Sequence, residues 1–339
     1  MALLTVLEPE GMYPDTRLES EVLGPEVEVL HGGAPHTGTL DDLPDDLCAR
    51  VDGLLIFRHF LRPHHIARFP RLKAVVRMGV GYDRLDRAAL AERGITVCNV
   101  PDYGTTEVAD HAMALVLALR RGLALHHDLQ RADPPAPWRY AEHPLIRRAD
   151  VQGFGVLGLG RIGTAVALRA KAFGFRVRFF DPLLANGVDR ALGVERAESL
   201  HALMRGSDVL SIHVPDTPAT RGLVNAAALA ALPENAVVVN TARGTSLDLD
   251  ALEAGLRSGR IAGAGLDVLP VEPPPEPVHT LLRAYRAREP WVSGRLIITP
   301  HSAFHTPEAW ADIRRKSAET MRDVLLRGLR TNVIPPDYH

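Results

Sequence analysis

The chain has 339 residues, 46% of them apolar and 24% charged, with a formal net charge of −2. That length allows two domains, each burying its own core. The charge balance excludes both the positive excess of a nucleic-acid binder and an acidic tail. Two cysteines, Cys48 and Cys98, exclude a disulfide framework and fit a reducing cytosol. No apolar run reaches spanning length, and the opening "MALLTVLEPEG" lacks the basic n-region of a signal peptide. The expected location is the cytoplasm, with no membrane and no nucleic acid among the partners. Lysine occurs only as Lys73, Lys171 and Lys316, and this arginine bias reads as genome base composition rather than function.

In chain order, "LLTVLE", "VEVLHG", "GLLIF", "KAVVRMG" and "ITVCNV" are strand-like, separated by stretches of helical spacing such as "DRAALAERG". A long apolar stretch, "TTEVADHAMALVLALRRGLALHHDLQ", predicts one long helix that serves as a buried connector or an oligomer interface. The Pro-rich "RADPPAPWRYAEHP" follows as a surface wrap. The alternation then restarts with "GFGVLGLG", "RVRFFD", "DVLSIHVP", "AVVVNTARG", "GAGLDVLP" and "RLIITPH". Near the end, Thr306 and Pro307 read as the cap and first position of a last helix. Strands alternating with helices predict an α/β protein with parallel sheets.

Gly158, Gly160 and Gly163 have the GxGxxG spacing, after an apolar strand and at the start of a helix. A second strand ends at Asp181, 18 residues beyond Gly163. The first glycine permits a tight turn, the second a close approach to a pyrophosphate, and the third close helix–strand packing. Asp181 would accept hydrogen bonds from a ribose and repel a 2′-phosphate, which favours NAD over NADP. In an open parallel sheet ligands bind at the carboxyl ends of the strands. Three strands there run into Thr241, Ala242 and Arg243, into Asp267 with Glu272 beyond, and into His301. These residue types suit hydride transfer to a carbonyl. His301 would protonate the developing alkoxide, Glu272 would favour its imidazolium, and Arg243 would fork onto a substrate carboxylate.

"GLGRIG", "NTARG", "GLDV…E" and "TPH", in this order, resemble the D-isomer-specific 2-hydroxyacid dehydrogenase family. "VRMGVGYDRLD" and "VCNVP" are similar to its branch that includes the C-terminal binding protein corepressors. The resemblance implies a flavodoxin-like substrate domain built from residues 1–101 and 303–339, with a Rossmann NAD domain, 102–302, inserted. It also implies a homodimer through the helix after residue 104. By motif, Arg243, Glu272 and His301 would be catalytic. Gly158, Gly160, Arg161, Ile162, Gly163, Asp181, His213, Val214, Pro215, Thr241, Ala242, Arg243 and Asp267 would hold NAD(H). Gly79, Val80 and Gly81 would take the substrate carboxylate through N–H groups, with Arg77, Tyr103 and Phe304 around the substrate. Phe304 stands where the corepressor branch has tryptophan, so that branch's keto-acid preference does not transfer. The 29-residue path from Glu272 to His301 is longer than usual in the family and suggests a flap or an interface element.

The expected substrate is a small 2-oxo or 2-hydroxy acid. Arg58, His59, Arg62, His64 and His65 in "FRHFLRPHH" would suit a second anionic group, and equally form a solvated basic face. A rival reading from another class is a corepressor-like NAD(H)-binding protein with little turnover. No metal is expected: the i, i+4 spacing of His301 and His305 serves two ligands only on a helix, and Pro300 and Pro307 flank it.

Overall fold

A computed structural model describes residues 3–34 and 39–336. The chain divides into two compact units, Met1–Tyr103 with Thr306–His339, and Gly104–His305.

The first unit holds a parallel five-stranded sheet: β1 (Leu4–Glu8), β2 (Val27–His31), β3 (Gly53–Ile56), β4 (Ala74–Arg77) and β5 (Thr96–Asn99), in the order β2-β1-β3-β4-β5. That order is the flavodoxin-like one. β3 is buried along its whole length, as expected of a parallel strand covered on both faces. The helix Pro307–Arg327 closes this unit, and Thr306 caps it by accepting the Ala309 N–H at 3.0 Å, with Pro307 at the first position.

The second unit holds seven parallel strands: β6 (Gly153–Leu157), β7 (Arg176–Phe180), β8 (Glu195–Arg196), β9 (Val209–Ile212), β10 (Ala236–Asn240), β11 (Ile261–Leu266) and β12 (Leu296–Ile298). Their order is β12-β11-β10-β9-β6-β7-β8, a Rossmann sheet whose strand order reverses at β6 and β9. β10, "AVVVN", is wholly buried, and hydrophobic clusters line both faces of the sheet. β8 was invisible to periodicity because its two polar residues carry none.

The single long helix expected after residue 104 is two helices, Thr105–Arg120 and Leu123–Arg131. Gly122 separates them at φ 63°, a left-handed conformation that an α-helix cannot contain. The long segment after Glu272 is not a free flap. It contains the helix Thr280–Arg286 and buries Leu281, Ala284 and Val292 in the core of its unit. Arg257 stacks on Trp291 at 3.9 Å from the ring centre.

Glu8 ends β1 almost fully buried, 3.0 Å from His31 Nδ1 at the end of β2. Burial and then the charge of Glu10 push its carboxyl up to about 7. A raised carboxyl binds its proton more tightly in the folded state, so no penalty exists below about pH 4.5. The penalty grows to roughly 3 kcal/mol as pH rises through about 7. Glu8→Gln should therefore gain stability relative to wild type as pH rises from about 5 to about 8. Urea unfolding at the two pH values measures this, and a difference independent of pH would refute it.

Candidate active site

The glycine turn at the β6 end is built from close backbone approaches. Gly158 has φ 87°, and its N–H donates to Phe180 O at 3.0 Å. A Cβ on Gly163 would stand 2.1 Å from Gly158 O, so only glycine lets the helix Arg161–Ala172 approach the strand this closely. A Cβ on Gly160 would meet nothing within 4 Å, which leaves the mouth of the turn open. The N–H groups of Arg161, Ile162 and Gly163 belong to the first helical turn, where no intrahelical acceptor exists. Asp181 follows β7; its Oδ2 accepts the Leu159 N–H at 2.9 Å and its Oδ1 the Leu183 N–H at 3.0 Å. The adjoining β9 end carries His213, Val214 and Pro215. His213 Nε2 meets Ser211 Oγ at 2.7 Å, and burial lowers its imidazole to about 3, so the ring is neutral. At the β10 end, Thr241 Oγ1 is buried with no hydrogen-bond partner among the described residues. An open mouth, first-turn donors without intrahelical acceptors and, among the described residues, a partnerless buried hydroxyl at neighbouring strand ends fit a dinucleotide.

β10, β11 and β12 are successive neighbours in the sheet, so the loops after them are adjacent. Arg243 leads the first of these loops, with Nη1 donating to Ala242 O at 2.8 Å. Its own carbonyl accepts from Asn240 Nδ2 at 2.9 Å and Ser246 Oγ at 2.7 Å. A Cβ on Gly244 would stand 2.0 Å from the Leu269 carbonyl carbon, so this loop presses directly on the next one. There Glu272 Oε1 accepts the Leu269 N–H at 2.9 Å, and Oε2 lies 2.6 Å from His301 Nδ1. Burial alone would raise the Glu272 carboxyl. The hydrogen bond and charge of His301, the Leu269 N–H and the charge of Arg243 outweigh it and hold the group below its ordinary value. Glu272 is therefore an ionised acceptor for Nδ1, which leaves Nε2 outside this pair.

Asp267 lies at the end of β11, only 2% exposed, with its carboxylate already occupied. Oδ1 accepts from Thr299 Oγ1 at 2.6 Å and the Ser302 N–H at 2.9 Å, and Oδ2 accepts the Ala303 N–H at 3.0 Å. Phe304 is buried edge-on to His301, with ring centres 6.4 Å apart, and His305 is exposed on its other side at 6.2 Å.

In the first unit, the carbonyls of the Gly79–Gly81 loop are tied down: Val100 N–H donates to Gly79 O at 3.0 Å and Asn99 Nδ2 to Val80 O at 2.7 Å. Across a trans peptide the N–H points opposite the carbonyl, so the Val80 and Gly81 N–H groups face away from these donors. Arg77 Nη1 donates to Met78 O at 2.8 Å. It fills the space a Gly79 Cβ would need, since that atom would stand 1.4 Å from Nη1. Arg58 and Arg77 lie 5.6 and 5.5 Å from the centre of one ring, Phe57. Glu10 was not foreseen. Its carboxylate accepts the N–H groups of Phe57 and His59, each at 2.7 Å, and that of Arg58. Tyr103, also expected at the substrate, is buried at the end of this unit's first segment.

Asp41, His64 and His65 are a group, among the described residues, close enough to share a cation. His65 Nδ1 accepts the Arg62 N–H at 3.2 Å, so its Nε2 carries the hydrogen and donates to Asp41 Oδ2 at 3.4 Å. This is a helix-capping arrangement with the ligating lone pair already used. No helix of the described chain is long and apolar enough to cross a membrane.

The open glycine turn and the His301–Glu272 pair thus lie at the carboxyl ends of one parallel sheet, where such sheets bind their ligands. Residues 113–303, more than half of the chain, match the D-isomer specific 2-hydroxyacid dehydrogenase NAD binding domain, and the chain belongs to that family. It is 35% identical over 273 residues to a D-3-phosphoglycerate dehydrogenase of Methanocaldococcus jannaschii, covering 79% of this chain. The match covers 48% of that relative, so the chain spans about half its length. It is 36% identical over 271 residues to a glyoxylate reductase of Korarchaeum cryptofilum, covering 79% of this chain and 76% of the relative. A solved glyoxylate reductase from Paecilomyes thermophila is similar with a TM-score of 0.84 at 25% identity, covering 99% of each chain. The cofactor of this family domain is NAD.

Because the Gly244 contact is backbone on backbone, no side-chain rotamer can relieve it. Gly244→Ala should cost about 1–3 kcal/mol and lower the melting temperature by several degrees. A melting curve superimposed on wild type would refute that packing.

Proposed function

We propose that the protein is an NAD(H)-dependent D-2-hydroxyacid dehydrogenase acting as a 2-oxo acid reductase. The observation that carries the reading is the 2.6 Å contact between His301 Nδ1 and the ionised Glu272, beside the Arg243 loop. When bound, NADH supplies the hydride. His301 delivers the proton from Nε2 to the substrate oxygen, and Glu272 compensates the imidazolium before that transfer. Arg243 binds the substrate carboxylate and polarises the carbonyl through its fork. The Val80 and Gly81 N–H groups take the substrate carboxylate. Thr241, Ala242, His213, Val214 and Pro215 hold the cofactor with the glycine turn, and Asp181 selects NAD by repelling a 2′-phosphate.

The reading extends to a homodimer through the two helices after residue 104. The second of them has no buried residue, and Trp138 and Tyr140 beyond it are 92% and 78% exposed.

His301→Ala should lower kcat by roughly 10²–10⁴ while NADH still binds, and His305→Ala should leave kcat near wild type. NADH oxidation with a panel of 2-oxo acids, and NADH binding by fluorescence, measure both. A wild-type protein that binds NADH and reduces none of the panel would instead favour the corepressor-like role.

The substrate proposed is dianionic. Two guanidinium groups on the Phe57 ring, at a loop that Glu10 braces through three N–H groups, suit a phosphonate, phosphate or second carboxylate. Arg58→Ala should raise KM for phosphonopyruvate about tenfold while leaving KM for glyoxylate within about twofold. Equal changes for the two acids would sink this assignment.

A further inference from the structure

The loop that carries His301 has an unusual backbone. His301 has φ 52°, a left-handed conformation that a non-glycine residue adopts only at a cost in backbone strain. Three consecutive N–H groups offset that cost by converging on one residue. His301 N–H donates to Asp267 O at 2.7 Å, Ser302 N–H to Asp267 Oδ1, and Ala303 N–H to Asp267 Oδ2. The orientation of the Asp267 carboxylate therefore sets the loop that presents the imidazole.

Two further side chains set that carboxylate. Thr299 Oγ1 lies 2.6 Å from Asp267 Oδ1, so its hydroxyl hydrogen points to the carboxylate. That leaves the oxygen as an acceptor for His111 Nε2, 3.0 Å away on the helix Thr105–Arg120. His111 Nε2 is also 3.7 Å from Asp267 Oδ1. The chain has one direction: His111 Nε2–H to Thr299 Oγ1, Thr299 O–H to Asp267, and Asp267 to the loop amides. All four groups lie in the Gly104–His305 unit.

We propose that His111, acting through Thr299 and Asp267, is a positioning residue that holds the His301 loop in its reactive conformation. The proposal rests on the reading of His301 as the proton carrier. Asp267 itself is an ambiguous target because it ends a strand at the cofactor crevice. His111 and Thr299 are neither cofactor nor substrate residues in that reading, so they test the relay cleanly.

The experiment compares His111→Ala, Thr299→Val and Thr299→Ser in the full chain, with glyoxylate and NADH as probes. His111→Ala and Thr299→Val should lower kcat about tenfold or more, because misplacing a reacting group by a fraction of an ångström is costly. KM for glyoxylate and Kd for NADH should stay within about twofold of wild type. Thr299→Ser keeps the hydroxyl and should restore kcat. The double variant should be no worse than the worse single one, since both break one chain. Amide hydrogen exchange across 299–305 should quicken about tenfold in His111→Ala and Thr299→Val but not in Thr299→Ser, and this reads the loop without turnover. Unchanged kcat and exchange in Thr299→Val and His111→Ala would overturn the relay. So would a loss that Thr299→Ser shares, or one in which NADH binding falls in step. His301→Ala with wild-type turnover would overturn the reading of His301 instead, and the exchange result would still decide the relay.

Discussion

The His301 ring is held by Glu272, and the backbone that carries that ring is held by Asp267. Glu272 grips the imidazole at Nδ1, but a grip on the ring is useful only if the backbone beneath it is fixed. The left-handed conformation of His301 is the alternative that folding would discard without compensation. Asp267 compensates it with one main-chain and two side-chain acceptors directed at three successive amides. An asparagine there would present an amide hydrogen where an acceptor is needed, so the geometry requires a carboxylate rather than merely a polar group.

The sheet explains why Arg243, Glu272 and His301 share one end of the unit. β10, β11 and β12 are adjacent and parallel, so their carboxyl ends deliver Arg243, Asp267 with Glu272, and His301 to one end of the sheet. Close backbone contact then converts neighbouring loops into a single rigid body. Gly244 lies against the Leu269–Pro270 peptide, and Glu272 takes the Leu269 N–H, so the arginine and glutamate loops cannot move independently. The same device recurs at β6, where Gly163 lies on the Gly158 carbonyl. These glycines allow backbone to touch backbone where even a methyl group would separate the elements.

Eleven of the twelve strands were legible because parallel strands covered on both faces read as unbroken apolar runs, as in "AVVVN" and "GLLI". β8 was not, since two polar residues at a sheet edge carry no period. The helix after residue 104 was read as one because its apolar spacing continues across Gly122, and only the sign of φ there reveals the break. The strand-end placement of Arg243, Glu272 and His301 was legible because each follows an apolar run. The bracing residues were not: Glu10 accepts from amides 47 to 49 residues along the chain, and His111 lies 188 residues from Thr299. Such contacts carry no local signature. The one available hint was a histidine amid the apolar positions Val108, Ala109, Ala112 and Met113 of a buried helix.

The arginine bias, read from the sequence as base composition, has a structural use. Arg295 donates to the carbonyls of Ala262, Trp291, Leu256 and Ile261, and the fully buried Arg120 to those of Leu145, Asn235 and Asp208. Arg93 takes Ile66 O and Phe69 O just at and beyond the short helix Pro63–Ala67, and Arg260 takes Ala230 O and Leu232 O at the end of Ala226–Ala231. Helix ends and loop turns leave carbonyls without intrahelical donors, and a planar guanidinium with five N–H groups satisfies two to four of them at once. A lysine ammonium is a compact, strongly hydrated charge without that fork, and its burial would leave carbonyls unpaired. Carbonyl capping thus draws on one property of arginine, fixed divergent donors. Arg58, Arg77 and Arg243 stand instead at or just beyond the carboxyl ends of β3, β4 and β10.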